Sequence, residues 1–299
     1  MLANGAARLS TGPPLPFQTM KLHEFFVTNA GQAGLVQILT EYTLEAAFLC
    51  FLVMAVFCLA SKDSVAPEHR VSATITALIC LAAAVSYALI RTYYHAALET
   101  LVATDDPAER HRIIYQAYVN IGQYRYMDWT VTTPLLLVKN VMMLRVKPHQ
   151  APGALAILLV ADVLMVLCGY LGEQQIGDNG LIQAGPHYLW GGISTLFYLV
   201  IPVVLYRVYR RFAHEAEPEE RRAYRWLAYA TVTTWGVYPL GYMVPTLFPQ
   251  ANLNWLHIAF SVADVYNKVG LGVVAYLTAS KLMEKKVPDD QVMPARTVG

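Results

Sequence analysis

Two charged side chains, Asp264 and Lys268, stand in the middle of the apolar run 256–282. An ionisable residue at the centre of a bilayer costs about 2.5–3.5 kcal/mol on insertion scales, so such residues are rare and usually functional. The i, i+4 spacing puts the carboxylate and the amine on one helix face, a turn apart. A buried lysine sheds its charge readily or forms a Schiff base with a carbonyl compound. A cationic iminium needs a counterion, and Asp264 is placed to be one. The alternative is a structural ion pair that joins two helices.

A second constellation lies in 124-YRYMDWTVTTPLLLVKNVMML-144, where Arg125, Asp128, Thr132 and Lys139 fall on one helical face. Asp128 and Lys139 are 11 residues apart, about 16 Å along a helix axis. The face therefore carries an acid near mid-membrane and a base near one end. Two carboxylates and an arginine around a lysine-borne cation make a sensible buried charge cluster. Lys139 has two readings: a lysine that snorkels to the interface, or a buried proton carrier. In 235-WGVYPLGY-242, Trp235, Tyr238 and Tyr242 recur at helical spacing, as aromatic packing also would. Pro239 removes a backbone hydrogen bond and should kink that helix.

These residues need membrane helices to position them. Of 299 residues, 56% are hydrophobic and 14% charged, against about 25% charged in soluble domains. The net charge of +1 points to no nucleic acid or other polyanion. The expected fold is all-α, a seven-transmembrane-helix bundle with spans near 35–61, 70–99, 114–142, 152–173, 187–212, 222–248 and 253–283. Each reaches the roughly 20 residues that a crossing needs. Loops after spans one, three and five, and the tail, hold Lys62, Arg70, Arg145, Lys147, Arg207, Arg210, Arg211, Arg221, Arg222, Lys281, Lys285 and Lys286. Opposite loops carry Asp105, Asp106, Glu109, Glu173 and Asp178. The positive-inside rule then places the N-terminus outside and the C-terminus in the cytoplasm. The expected division is an extracellular segment 1–34, a bundle 35–285 and a cytoplasmic tail 286–299. Within the first, 17–31 reads as a short amphipathic segment, and the N-terminus does not read as a signal peptide. Cys50, Cys58, Cys80 and Cys168 sit inside apolar runs and read as packing residues, not as a metal site or disulfide framework.

Taken together, RYxDWxxTTPL, WxxYP and DxxxK, in order on spans three, six and seven, resemble the microbial (type 1) rhodopsins over about residues 35–285. The resemblance implies a photoreceptor, not an enzyme, with all-trans retinal bound to Lys268 as a protonated Schiff base. It makes Asp128 the primary counterion and proton acceptor, Asp264 the second counterion and Arg125 the arginine beneath them. Thr132 would hydrogen-bond Asp128. Trp129 and Trp235 would sandwich the polyene, with Tyr238 near Asp264. Further retinal-pocket matches are Thr133, Leu136, Asp162, Met165, Gly169, Ser194, Thr195 and Pro239. Tyr242 stands where bacteriorhodopsin has a tryptophan, and Asn267 is more polar than the usual small residue.

The motif Asp128, Thr132, Lys139 resembles the proton pumps of Exiguobacterium type, in which a transiently neutral lysine relays the proton. His95 resembles the histidine of proteorhodopsin and xanthorhodopsin that hydrogen-bonds the primary counterion; a histidine satisfied within the helix interface is the alternative. Arg91 and Glu99 flank it at i−4 and i+4. Arg91 is expected on the cytoplasmic side of the Schiff base, where it resembles the buried arginine of cryorhodopsins and would oppose return of a proton; the alternative is that it faces a neighbouring helix or lipid headgroups and plays no part. Gly191 resembles the glycine that opens a window for a carotenoid antenna in xanthorhodopsin-like proteins; helix packing through a small residue is the alternative. The release pair of bacteriorhodopsin has no match in 247–256, which leaves Glu99 as a candidate release group. The leading expectation is a light-driven outward proton pump in a cell membrane, that of a bacterial inner membrane, in a homotrimer or homopentamer. The rival is a slow photosensory rhodopsin acting on a signalling partner.

Overall fold

The computed structural model describes residues 30–286. Most of the 17–31 segment and the tail beyond 286 lie outside the described residues. Seven long helices cross the bundle. The first five are Leu35–Ala60, Arg70–Val102, Pro107–Met142, Pro152–Glu173 and Ala184–Phe212. The sixth is built of Pro218–Thr234 and Val237–Leu247. The seventh runs as Asn254–Val265, a π-helical turn Tyr266–Gly270, and Leu271–Glu284. Each helix packs against its neighbours in sequence, and the seventh closes the ring against the first.

Five helices are long and apolar enough to cross a membrane by length and composition. The third and sixth fall short for a reason. The third carries Arg125, Asp128 and Lys139 in its span, and the sixth opens on PEERRAYR and is broken midway. The bundle is inside out relative to a soluble protein. Val53, Leu189, Leu196 and Leu240 face outward, whereas Arg125, Asp128, Lys139, Asp264 and Lys268 are buried. Lipid rewards the apolar exterior, and the protein interior is the one place at that depth where charges find partners.

Local signals explain the boundaries that matter. The third helix starts seven residues before the expected 114, because Asp106 caps it by accepting from Ala108 N at 3.1 Å and Pro107 occupies the first helical position. Pro239 lacks an N–H and its ring would crowd the carbonyl four residues back, that of Trp235. The sixth helix breaks at Trp235–Gly236. In the seventh, the expected continuous α-helix gives way to a π-turn that contains Lys268, a widening often found at functional sites.

Candidate functional site

Lys268 sits at the centre of the ring and is 1% exposed. Its Nζ contacts Asp128 Oδ2 directly and lies 3.5 Å from Asp264 Oδ1. The carboxylates are held differently. Asp264 Oδ1 accepts from Tyr238 Oη at 2.6 Å and Trp129 Nε1 at 3.2 Å, and Oδ2 accepts from Tyr87 Oη at 2.8 Å. Asp128 Oδ1 is buried with no partner among the described residues. Asp264 therefore has its lone pairs committed, while Asp128 keeps an acceptor site open beside the amine. Arg125 lies 3.7 Å from Asp264 Oδ2 and donates to Tyr87 Oη at 2.9 Å and Ser261 Oγ at 3.2 Å. Two cations balance two carboxylates, which is how a charge cluster survives burial.

From Lys268 an internal cleft runs between the third to seventh helices. Trp129, Thr133, Leu136, Met165, Gly169, Gly191, Ser194, Trp235, Tyr238, Pro239 and Tyr242 all line it. Ser194 Oγ ties the fifth helix to the fourth by donating to Met165 O at 2.7 Å. Thr133 Oγ1 lies 2.8 Å from Asp162 Oδ2, tying the third to the fourth. At the far end, Tyr242 stacks on His187 with ring centroids 3.7 Å apart and donates to His187 O at 2.7 Å. A Cβ on Gly191 would come within 2.6 Å of Tyr242 Cε1, so the missing side chain is filled by this tyrosine. An apolar cleft ending at a buried amine suits a long apolar carbonyl compound.

Several expected placements do not hold. His95 is not at Asp128. Tyr87 already marks the depth of the carboxylates, and His95 lies eight residues further on, about 12 Å along the axis. It pairs with Glu41 Oε1 at 2.7 Å. Arg91 lies beyond Tyr87 in the same direction, away from Lys139. It pairs with Glu45 at 2.5 Å and rests over the Phe48 ring. It therefore cannot guard the route from Lys139 to Lys268. Thr195 points outward, exposed, and donates to Gly191 O of its own helix. Thr132 Oγ1 donates to the backbone carbonyl of Asp128, not to its carboxylate. Glu99 is half-exposed and, among the described residues, pairs with His95 at 3.7 Å. Lys139 does not snorkel: it is 0% exposed and its Nζ has no partner among the described residues.

Three residues at the centre escaped sequence reading. Tyr87 links Arg125 to Asp264, and nothing in its helix marks it apart from the other tyrosines nearby. The sequence places Glu173 among the loop acids. It is buried at the end of the fourth helix, accepts from Tyr118 Oη at 3.1 Å, and lines a small void with Arg125 and His257. Both ring nitrogens of His257 are buried without partners among the described residues. Only the packing of four helices brings these groups together.

The fold and site are those of a membrane bundle with a buried lysine, an acceptor carboxylate beside it and a largely apolar cleft that leads to the amine. The comparisons agree. A family model described as "Bacteriorhodopsin-like protein" matches residues 39–282, and the chain belongs to that family, whose members normally carry retinal on a lysine. It is 26% identical to the green-light absorbing proteorhodopsin of Gamma-proteobacterium EBAC31A08, over 77% of this chain and 82% of the relative. It is 30% identical to bacteriorhodopsin of Halobacterium salinarum over 55% of this chain and 60% of that one. Among solved structures, Exiguobacterium sibiricum rhodopsin superposes with TM-score 0.68 at 27% identity, covering 83% of this chain and 98% of that chain. The fold is also that of xanthorhodopsin, a light-driven ion pump with dual chromophore, at TM-score 0.68 and 24% identity over 86% and 96% of the two chains.

Proposed function

We propose that this chain is a retinal-binding, light-driven proton pump, with retinal held on Lys268 Nζ. The observation that carries the reading is the asymmetry of the two carboxylates: Asp128 touches the amine with an oxygen to spare, and Asp264 is tied down by three donors. When bound, retinal supplies light absorption and an isomerisation that re-aims the nitrogen. The proton on Lys268 Nζ passes to Asp128. Asp264, Arg125 and Tyr87 hold the countercharge in place while it moves. Release proceeds from the Arg125, Tyr118 and Glu173 region, away from the end rich in lysine and arginine. Lys139, on the same helix as Asp128, returns a proton to Nζ from that basic end. The positive-inside rule supports a cytoplasmic basic end in a bacterial inner membrane, which makes transport outward.

The sensory alternative rested on Arg91, whose pairing with Glu45 removes its argument. The carotenoid window rested on Gly191, which Tyr242 fills. The test is illumination of cells that make the protein and are supplied with retinal. The medium should acidify, and a protonophore should abolish the change. Light that produces no uncoupler-sensitive acidification overturns the pump. A visible band that persists in Lys268→Ala overturns the attachment site.

A further inference from the structure

The cleft is apolar along most of its length, but its lining includes Tyr126 and Glu173. Neither belongs to the retinal contacts that the sequence motifs predict. Both are buried, Tyr126 at 8% exposure and Glu173 at 5%. Both also line the small void beside Arg125, so with Trp129 and Phe260 they form the wall between the two spaces.

Glycines make room for the two polar groups. A Cβ on Gly169 would come within 3.1 Å of Tyr126 Oη, and one on Gly122 within 2.8 Å of Glu173 Oε2. They also fix the place of the pair along the cleft. Gly169 is one helical turn before Glu173, and Gly172, its neighbour in sequence, lies against Tyr242 Oη. The pair therefore stands toward the end of the cleft that Tyr242 closes, opposite the amine. Tyr242 does not serve it, because its hydroxyl donates to His187 O.

Neither polar group is fully used. Glu173 Oε1 accepts from Tyr118 Oη at 3.1 Å, whereas Oε2 and Tyr126 Oη have no hydrogen-bond partner among the described residues. A hydrocarbon end pressed against them would desolvate both and satisfy neither. A hydroxyl there satisfies both, by accepting from Tyr126 Oη and donating to the Glu173 carboxyl. A carboxyl keeps acceptor capacity in either protonation state, so the match does not depend on the charge of Glu173.

We propose that the cleft selects a polyene aldehyde whose ring end carries a hydroxyl, held between Tyr126 and Glu173. The proposal rests on the chromophore site described above, with the aldehyde end on Lys268. Plain and hydroxylated aldehydes lose the same water on joining Nζ, so the ring end alone distinguishes them.

The experiment is competition for the apoprotein, made without retinal and held in lipid nanodiscs. All-trans 3-hydroxyretinal and all-trans 4-hydroxyretinal are each offered in excess with an equal amount of all-trans retinal, and the bound aldehydes are extracted and quantified by chromatography. At least one hydroxylated aldehyde should be taken up about tenfold in preference, the effect of one or two buried hydrogen bonds. Tyr126→Phe should cut that ratio severalfold, and the double variant with Glu173→Leu should bring it to about one. The ratio is internal to each sample, so a variant that folds poorly lowers both aldehydes together. A ratio near one for both hydroxylated aldehydes in the wild type overturns the proposal, and so does a preference that survives in the double variant. Full uptake of plain retinal with no preference leaves the chromophore site standing and removes the hydroxyl subsite. A protein that takes up none of these aldehydes overturns the chromophore site and the proposal with it.

Discussion

Replacing Lys139 with methionine should make the protein more stable and its photocycle slower. Lys139 is fully buried on the third helix, and its Nζ has neither a hydrogen-bond partner nor an ion pair among the described residues. A buried polar group without a partner costs about 1–3 kcal/mol. Methionine is close in length and flexible, and swaps between side chains of similar volume usually cost under about 1.5 kcal/mol. Removal of the amine should therefore be net stabilising by about 1 kcal/mol, about a fivefold shift in the folded-to-unfolded ratio. The same change deletes the group proposed to return the proton to Lys268. General-acid residues contribute about 10²–10⁴-fold, so decay of the deprotonated state should slow by roughly 10²-fold while its formation keeps its rate. Thermal bleaching in the dark measures the first effect and flash photolysis the second. A less stable Lys139→Met would mean that the amine has a structural partner, and unchanged decay would mean that it carries no proton. Either result refutes the argument that this lysine is kept for transport at a cost in stability.

Glu173→Gln should delay the appearance of the proton in the medium by roughly 10²-fold relative to formation of the deprotonated state, read with a pH-sensitive dye; simultaneous appearance would remove Glu173 from the release route. Arg91→Ala should leave the decay of the deprotonated state at its wild-type rate in flash photolysis, because the guanidinium is paired with Glu45 on the far side of Tyr87; a shortened decay would restore the gate. Gly172→Ala should destabilise by about 1–3 kcal/mol, since the added Cβ would lie 1.8 Å from Tyr242 Oη. Tyr242→Phe in that background should recover part of the loss in a thermal bleaching assay, and a double variant no better than Gly172→Ala alone would contradict the clash.

Much of this protein could be read from one strand of text because the membrane leaves few choices. A charge inside an apolar run must face inward and find a partner, so Asp264 and Lys268 announce themselves, and RYxDW adds the second carboxylate and the arginine. Pro239 sets the break at Trp235 through local sterics alone. Depth within a helix is another matter. His95 and Arg91 have the right residue types, but only the bond from Tyr87 to Asp264 fixes the register of the second helix, and it puts both at the wrong level. The sequence could not say which carboxylate has an oxygen free, because that depends on donors from the second, third and sixth helices meeting at Asp264. Nor could it tell the buried acids Glu173 and Glu220 from the exposed ones in neighbouring turns. Composition and spacing determine that a lysine sits among charges inside a membrane bundle. Packing decides which of those charges are satisfied, and the unsatisfied ones are where a proton can go.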